Sequence, residues 1–196
     1  MSTEVKYFHS EQTGAPTLNN TAGGLVTLLD ACLINGFGLG TADSVVIDSG
    51  IATVTRAAGH PFTPYQIALI AGATVTGGSI NGERCVLTTT STTYTFDATG
   101  IGNQTASGSI THKVAPLGWE AQFTGTNKRA YRATVVESLG RVLRLDDTGT
   151  TTARGVGYLS MSDIDTGDGP FPTAAQLSGG THWVKSNGGT NRKWVL

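Results

Sequence analysis

Four histidines, His9, His60, His112 and His182, are the first candidates for acid–base chemistry, because imidazole titrates near neutrality. Acyl transfer would need one of them beside a Ser, Cys or Thr nucleophile and a carboxylate. The four are scattered along the chain, and no Gly-x-Ser-x-Gly elbow occurs. His60 lies in Gly59-His60-Pro61-Phe62, a turn in which it packs or points to solvent. Glycoside hydrolysis needs two carboxylates held at a set separation. Asp146 and Asp147 are adjacent at a strand end and so face opposite ways; one is expected to meet water and the other to cap the following turn. Asp163-Ile-Asp-Thr-Gly-Asp-Gly169 has the oxygen-rich look of a calcium loop. Yet Gly167 fills its fifth position and Ala174 its twelfth, where a bidentate Glu belongs, so it reads as an Asp/Gly turn closed by its own side chains. Gly36-Phe-Gly-Leu-Gly40 follows a helix and precedes a strand, the reverse of what a phosphate-cradling loop requires.

Two further groups offer recognition rather than catalysis. Lys128, Arg129, Arg132, Arg141 and Arg144, with Tyr131 among them, form a basic segment of the kind that meets phosphates. The net charge is only −1, however, so a solvated face or a subunit contact is the better expectation, and a nucleic-acid partner is not expected. Trp119, Trp183 and Trp194 have the chemistry of a sugar-stacking platform, but so few aromatics in a β-rich chain serve first as core or interface anchors. Cys32 and Cys85 show no metal-ligand spacing and are expected as buried thiols rather than a bridge. No catalytic, cofactor-binding or metal residue is therefore assigned, no cofactor is expected, and the chain is read as a non-enzyme.

The elements that would carry these residues are mostly strands. Short β-branched and aromatic runs recur roughly every 10 to 15 residues between Gly, Pro and Asn, the pattern of a small antiparallel barrel or sandwich. Strands are expected at 5–10, 45–47, 51–55, 66–71, 83–88, 93–97 and 108–114, then at 119–124, 130–133, 142–146, 153–158, 182–185 and 192–196. Phe37 to Asp43 reads as a glycine-spaced loop and 172–176 as one helical turn. One helix is expected at about 21–35. Leu25, Val26, Leu28, Leu29, Cys32 and Leu33 give it an apolar stripe, Asn20 or Thr21 a cap, and Asn35-Gly36 a left-handed end. The first and last strands of 45–113 are expected side by side, so that this block forms an inserted barrel within a host built from 1–44 and 114–196.

Composition agrees with that architecture. Charged residues make up 14% of the 196 and glycine accounts for 27, which suits hydroxyl-rich strands or a surface covered by neighbours. Met1 to Lys6 has no apolar leader, and no window approaches the roughly 18 apolar residues of a membrane span, so a soluble chain made in a cytoplasm is expected, with no membrane partner.

Ile51-Ala-Thr-Val-Thr55, Gly59-His-Pro-Phe62, Ile70-Ala-Gly72, Asn81-Gly-Glu83, Thr95-Phe96 and Gly108-Ser-Ile-Thr111 together resemble a small β-barrel module of tailed-bacteriophage virion proteins. That module is labelled after the first catalytic cysteine half-domain of ubiquitin-activating enzymes. Cys85 matches no catalytic-cysteine motif, so the label brings no ubiquitin chemistry. Val5-Lys-Tyr-Phe8, Leu29-Asp-Ala-Cys-Leu33, Ala115-Pro-Leu-Gly-Trp119, Phe123-Thr-Gly-Thr-Asn-Lys-Arg129 and Leu143-Arg-Leu-Asp-Asp147 extend the resemblance over most of the chain. It implies a mainly β structural subunit of a phage particle, at the head, neck or tail, localised to the virion and made in the bacterial cytoplasm. Its partners would be other virion proteins and copies of itself. The alternative it implies is an outward module that binds a host receptor or glycan through Phe62, Tyr65 or Trp183. Members of that group often run on past a segment like Arg192 to Leu196, and the ending on Trp194-Val-Leu196 reads either as a packed C-terminus or as a chain that continued.

Overall fold

The computed structural model describes residues 5–196; Met1 to Glu4, on which the expectation about a leader partly falls, lie outside them. Strands take 41% of the chain and helical turns 8%, so the mainly β class with one helix and a barrel-like sheet is what the chain adopts. It forms two compact units. The first comprises a segment ending at Ala15, Gly36–Ala115 and Leu196, and the second comprises Pro16–Asn35 and Pro116–Val195.

The first unit is a curled antiparallel half-barrel of eight strands. In chain order these are β1 (Phe37–Thr41), β2 (Ser44–Asp48), β3 (Ile51–Thr55), β4 (Ile67–Ala71), β5 (Gly82–Thr89), β6 (Thr93–Asp97), β7 (Gln104–Thr105) and β8 (Thr111–Val114). Across the sheet they run β1-β8-β4-β5-β6-β3-β2-β7. The β2–β3 hairpin turns at Ser49 and Gly50, both left-handed, and pairs Val45 with Val54 and Ile47 with Ala52. All four side chains are buried, as strict alternation demands. Phe62, Ile67, Ile70, Ile80, Val86, Tyr94, Phe96 and Val114 complete this interior.

Three expectations for this unit need correction. Phe37 to Thr41 is strand β1, not a loop; Phe37 is buried opposite Val114, and Gly40 lies opposite His112. Strands β2 and β8 are not neighbours, because β8 is taken by β1 and β4, and β2 by β3 and β7. Residues 5–10 form no strand; Phe8 is buried and exchanges backbone hydrogen bonds with Leu196 alone.

The second unit is a five-stranded antiparallel sheet ordered β15-β12-β11-β10-β9. Its strands are β9 (Trp119–Gly125), β10 (Lys128–Ala133), β11 (Val142–Asp146), β12 (Thr152–Tyr158) and β15 (Thr181–Val184), with a small hairpin of β13 (Ser160–Met161) and β14 (Gly167–Asp168). Ala130, Val142 and Met161 pack together, flanked by Phe123, Tyr158 and Ile164. The expected strand at 192–196 is reduced to an isolated bridge between Arg192 and Leu18 and the Leu196 pair with Phe8.

The helix also belongs to this unit and is shorter than expected. Helix α1 covers Gly24–Leu29, and Asp30–Asn35 continues as a π-wound segment. Neither Asn20 nor Thr21 caps it. The N-cap is Gly23, which has φ 78 and makes no side-chain bond. A side chain there would collide with Asn127 Oδ1, so the position admits only glycine and the cap must come from elsewhere.

Candidate functional site

That cap comes from Asp147. Its Oδ2 accepts from the backbone N–H of Leu25 at 2.7 Å and of Val26 at 3.2 Å. Pairing of β10 with β11 and the backbone bond from Asp147 N to Asn127 O set the carboxylate beneath the helix start. On its other side lies Lys185, the first residue after β15, held by its backbone N–H to Thr151 O. Both side chains are fully buried. Lys185 Nζ donates to Thr21 O at 2.8 Å and to Gly149 O at 2.7 Å. It sits 2.5 Å from Asp147 Oδ1, yet off the line of a hydrogen bond, so Oδ1 receives no aligned donor. The expectation that one carboxylate of the Asp pair meets water is therefore corrected: Asp147 is buried. Asp146 caps the following turn through Thr148 N and Oγ1 and pairs with Lys128 and Arg144.

Four of the five cations of the basic segment are paired in place, and Arg141 stands exposed. Arg129 makes a two-pronged contact with Asp30, which also accepts from Tyr131 Oη at 2.9 Å. Arg132 pairs with Glu120. Lys128 and Arg144 both reach Asp165, at 2.7 and 2.5 Å. Those two hydrogen bonds hold the Asp165 carboxyl below its usual range, and the bond to Asp165 raises Lys128. In the Asp163 loop, Asp163 Oδ1 accepts from Asp165 N and Thr166 N, the side-chain-closed turn expected of it. The Asp163 and Asp165 carboxylates are thus engaged by backbone and cations, and among the described residues no His, Cys, Asp and Glu cluster has the form of a metal site.

The histidines separate. His9 stacks on Tyr7, and His182 stands exposed on β15. His60 is saturated. Its Nε2 faces Thr90 O and Thr93 O at 3.0 Å, which requires the proton there, and its Nδ1 accepts from Phe62 N. His112 is the unusual one. It is 1% exposed, its Nδ1 meets Tyr94 Oη at 3.0 Å, and its Nε2 has no partner. A Cβ on Gly40 would lie 2.8 Å from that Nε2 and 2.6 Å from Arg56 Nε, so only glycine lets the imidazole and the guanidinium share this corner. Burial, then Arg56, then His60 push the His112 pKa down to about 4. With a cation on the Nε2 side, the stable neutral tautomer carries its proton on Nδ1 and donates to Tyr94. Tyr94 is itself fully buried and its pKa is raised by that burial. The hydrogen-bond partner of His112 is the Tyr94 hydroxyl, and both rings are buried, so the pair ties two strands together inside the half-barrel.

The remaining candidates are placed plainly. Trp194 is buried and donates to Pro16 O at 2.9 Å, Trp119 is half-buried, and Trp183 is exposed on β15. Phe62 is buried against Tyr94 and His112, a correction to its proposed role as an outward aromatic; Tyr65 is exposed. Cys32 is buried and its thiol is pushed up to about 12 by that burial, while Cys85 is only half-buried, short of the burial expected for both. No helix among the described residues is long and apolar enough to cross a membrane. The Asp147–Lys185 site went unrecognised as a pair. Its one sequence signal is a lysine closing an otherwise apolar strand end, His182-Trp-Val-Lys185, in a chain that also ends a strand on two aspartates. Comparison of the chain with protein-family models, with curated proteins and with solved structures finds no match.

Proposed function

We propose that this chain is a non-enzymatic structural subunit of a tailed-bacteriophage particle, working through contacts with copies of itself and with other virion proteins. The observation that supports it is a contrast in how the surface is used. Lys128, Arg129, Arg132 and Arg144 are matched by carboxylates within the unit, while apolar side chains stand out in clusters. Val135, Val136 and Leu139 are 59, 88 and 73% exposed in the single loop between β10 and β11. Trp183 and Val184 are exposed on β15, an edge strand with no proline, bulge or exposed lysine to guard its outer backbone. Symmetric repetition of such contacts turns modest surfaces into stable assemblies. The test is proteomic analysis and electron microscopy of purified particles of the phage that encodes the chain. The expected result is a fixed copy number with the β10–β11 loop or β15 against a neighbour. Presence only in the soluble fraction of infected cells, or hydrolysis of a cell-wall or glycan substrate by the purified chain, would remove this reading.

A second reading, an outward module for a host receptor or glycan, is favoured by Tyr65. It is 71% exposed and held at φ 69 by the bond from its N–H to Val86 O. A bulky residue in the left-handed region costs about 1–3 kcal/mol, a strain associated with ligand-facing positions. Glycan-array binding that is lost in Tyr65→Gly, which relieves the backbone and removes the ring, would select it.

A further inference from the structure

We infer that Asp147 and Lys185 form an intramolecular amide, a covalent cross-link between the end of β11 and the chain leaving β15. The inference stands apart from the assembly reading and rests on three features of the buried pair. The first is approach. Nζ lies 2.5 Å from Oδ1, off the line of a hydrogen bond, with both side chains fully buried. The second is the direction of the nitrogen. Two of its N–H groups are committed to Thr21 O and Gly149 O, which leaves one N–H of the ammonium uncommitted beside the Asp147 carboxyl. The third is Oδ2, which is held by the Leu25 and Val26 N–H groups, two fixed donors at the oxygen that would gather negative charge during attack on Cγ.

The chemistry balances within the pair. In this site, shielded from water, a small rotation of the Lys185 amine aligns one N–H with Oδ1, and the ammonium passes that proton across to yield a neutral amine and a neutral acid. The position vacated by that proton becomes the nitrogen lone pair. Nζ attacks Cγ, and the electron pair of the C–O double bond moves onto Oδ2, where Leu25 and Val26 donate to it. The Cγ–Oδ1 bond then breaks, and Oδ1 departs with a second proton from Nζ as water. One N–H remains on the amide for a carbonyl of the pair Thr21 and Gly149. No oxidant, metal or outside reagent takes part. Held proximity of this kind replaces a bimolecular encounter with an intramolecular one. The product closes a loop that contains β12 and ties down β15, whose four residues are all exposed.

The experiment is intact-mass analysis of the full-length purified protein, denatured after folding, followed by proteolysis and fragmentation. The expected result is a mass one water below that of the sequence, a branched peptide joining Asp147 to Lys185, and no tryptic cut after Lys185. Asp147→Asn should reach the same product mass by losing ammonia instead of water. Lys185→Arg, which keeps the cation, should return to its full sequence mass. A wild-type protein that folds and stays at full sequence mass overturns the inference. So does a water loss that maps to another residue, such as an internal imide at Asp168-Gly169. Because the wild-type mass alone decides, a variant that fails to fold does not spare the claim.

Discussion

The two units bury polarity by opposite means. The half-barrel buries a neutral pair, His112 with Tyr94, beside an Arg56 guanidinium that discourages a second positive charge. The helix-bearing unit folds around full charges: Lys185 with Asp147, fully buried and ionic until the amide joins them, and Arg129 with Asp30, half-buried beneath Tyr131. A neutral pair avoids the desolvation cost of ions but becomes fragile when pH forces a charge on it. A charged pair carries that cost from the start and tolerates pH, but neither partner can be removed alone. Acid should therefore attack the first unit, and single charge deletions the second.

Removing Lys185 should have the largest effect. Lys185→Met leaves the Asp147 carboxylate buried without its cation and should cost the second unit about 3–5 kcal/mol, seen as a lower urea midpoint and loss of amide protection in α1. A change below about 1 kcal/mol would erase the contrast between the units.

Next comes the acid response of His112. Its pKa falls from an ordinary 6.5 to about 4 on folding, so the unfolded chain binds the extra proton between those values. The stability of the neutral form is complete above pH 6.5 and is lost as pH falls toward 4. Over that window the half-barrel should lose about 3 kcal/mol, since one pKa unit is worth about 1.4 kcal/mol. Hydrogen exchange should show β4 and β8 loosening in this range before β10 and β11 do. His112→Phe should flatten the slope, and an unchanged slope would move the sensor elsewhere.

Arg129→Met should have a smaller effect, about 2 kcal/mol by thermal unfolding, because Asp30 keeps Tyr131 as a donor and is partly exposed. Val136→Asp should leave unfolding within about 0.5 kcal/mol of wild type, because the side chain touches water already. Its effect should appear in self-association, read by light scattering or sedimentation. Equal association of both proteins would move the contact away from the β10–β11 loop.

Local pattern made much of this fold readable. Val45 to Thr55 alternates, carries its turn at Asp48-Ser49-Gly50, and forms the hairpin that pattern requires. The strand runs in the second unit also fall close to their expected places. What local pattern missed depends on distant partners. Gly38 and Gly40 disguise β1 as a loop, because the reason for Gly40 is the Arg56–His112 corner rather than a turn. The helix start could not be read from its own residues, because Gly23 is forced by Asn127 and the capping carboxylate lies 122 residues away from Leu25. Charge runs misled for a related reason. Lys128 to Arg144 looks like a basic face until β-pairing and the 160–169 turn bring Asp146 and Asp165 against it. Hydrophobic period reports which face is inward; it carries no record of which ion meets which.

Cys32 and Cys85 fall one in each unit, and that gives the protein a pair of built-in clocks. Cys32 is buried in the π-wound segment and, with its thiol pushed up to about 12, reacts with an alkylating reagent only when its surroundings part. Cys85, on β5, reports the half-barrel in the same tube. The ratio of the two labelling rates, followed as acid is added, times the opening of each unit separately without a single engineered residue.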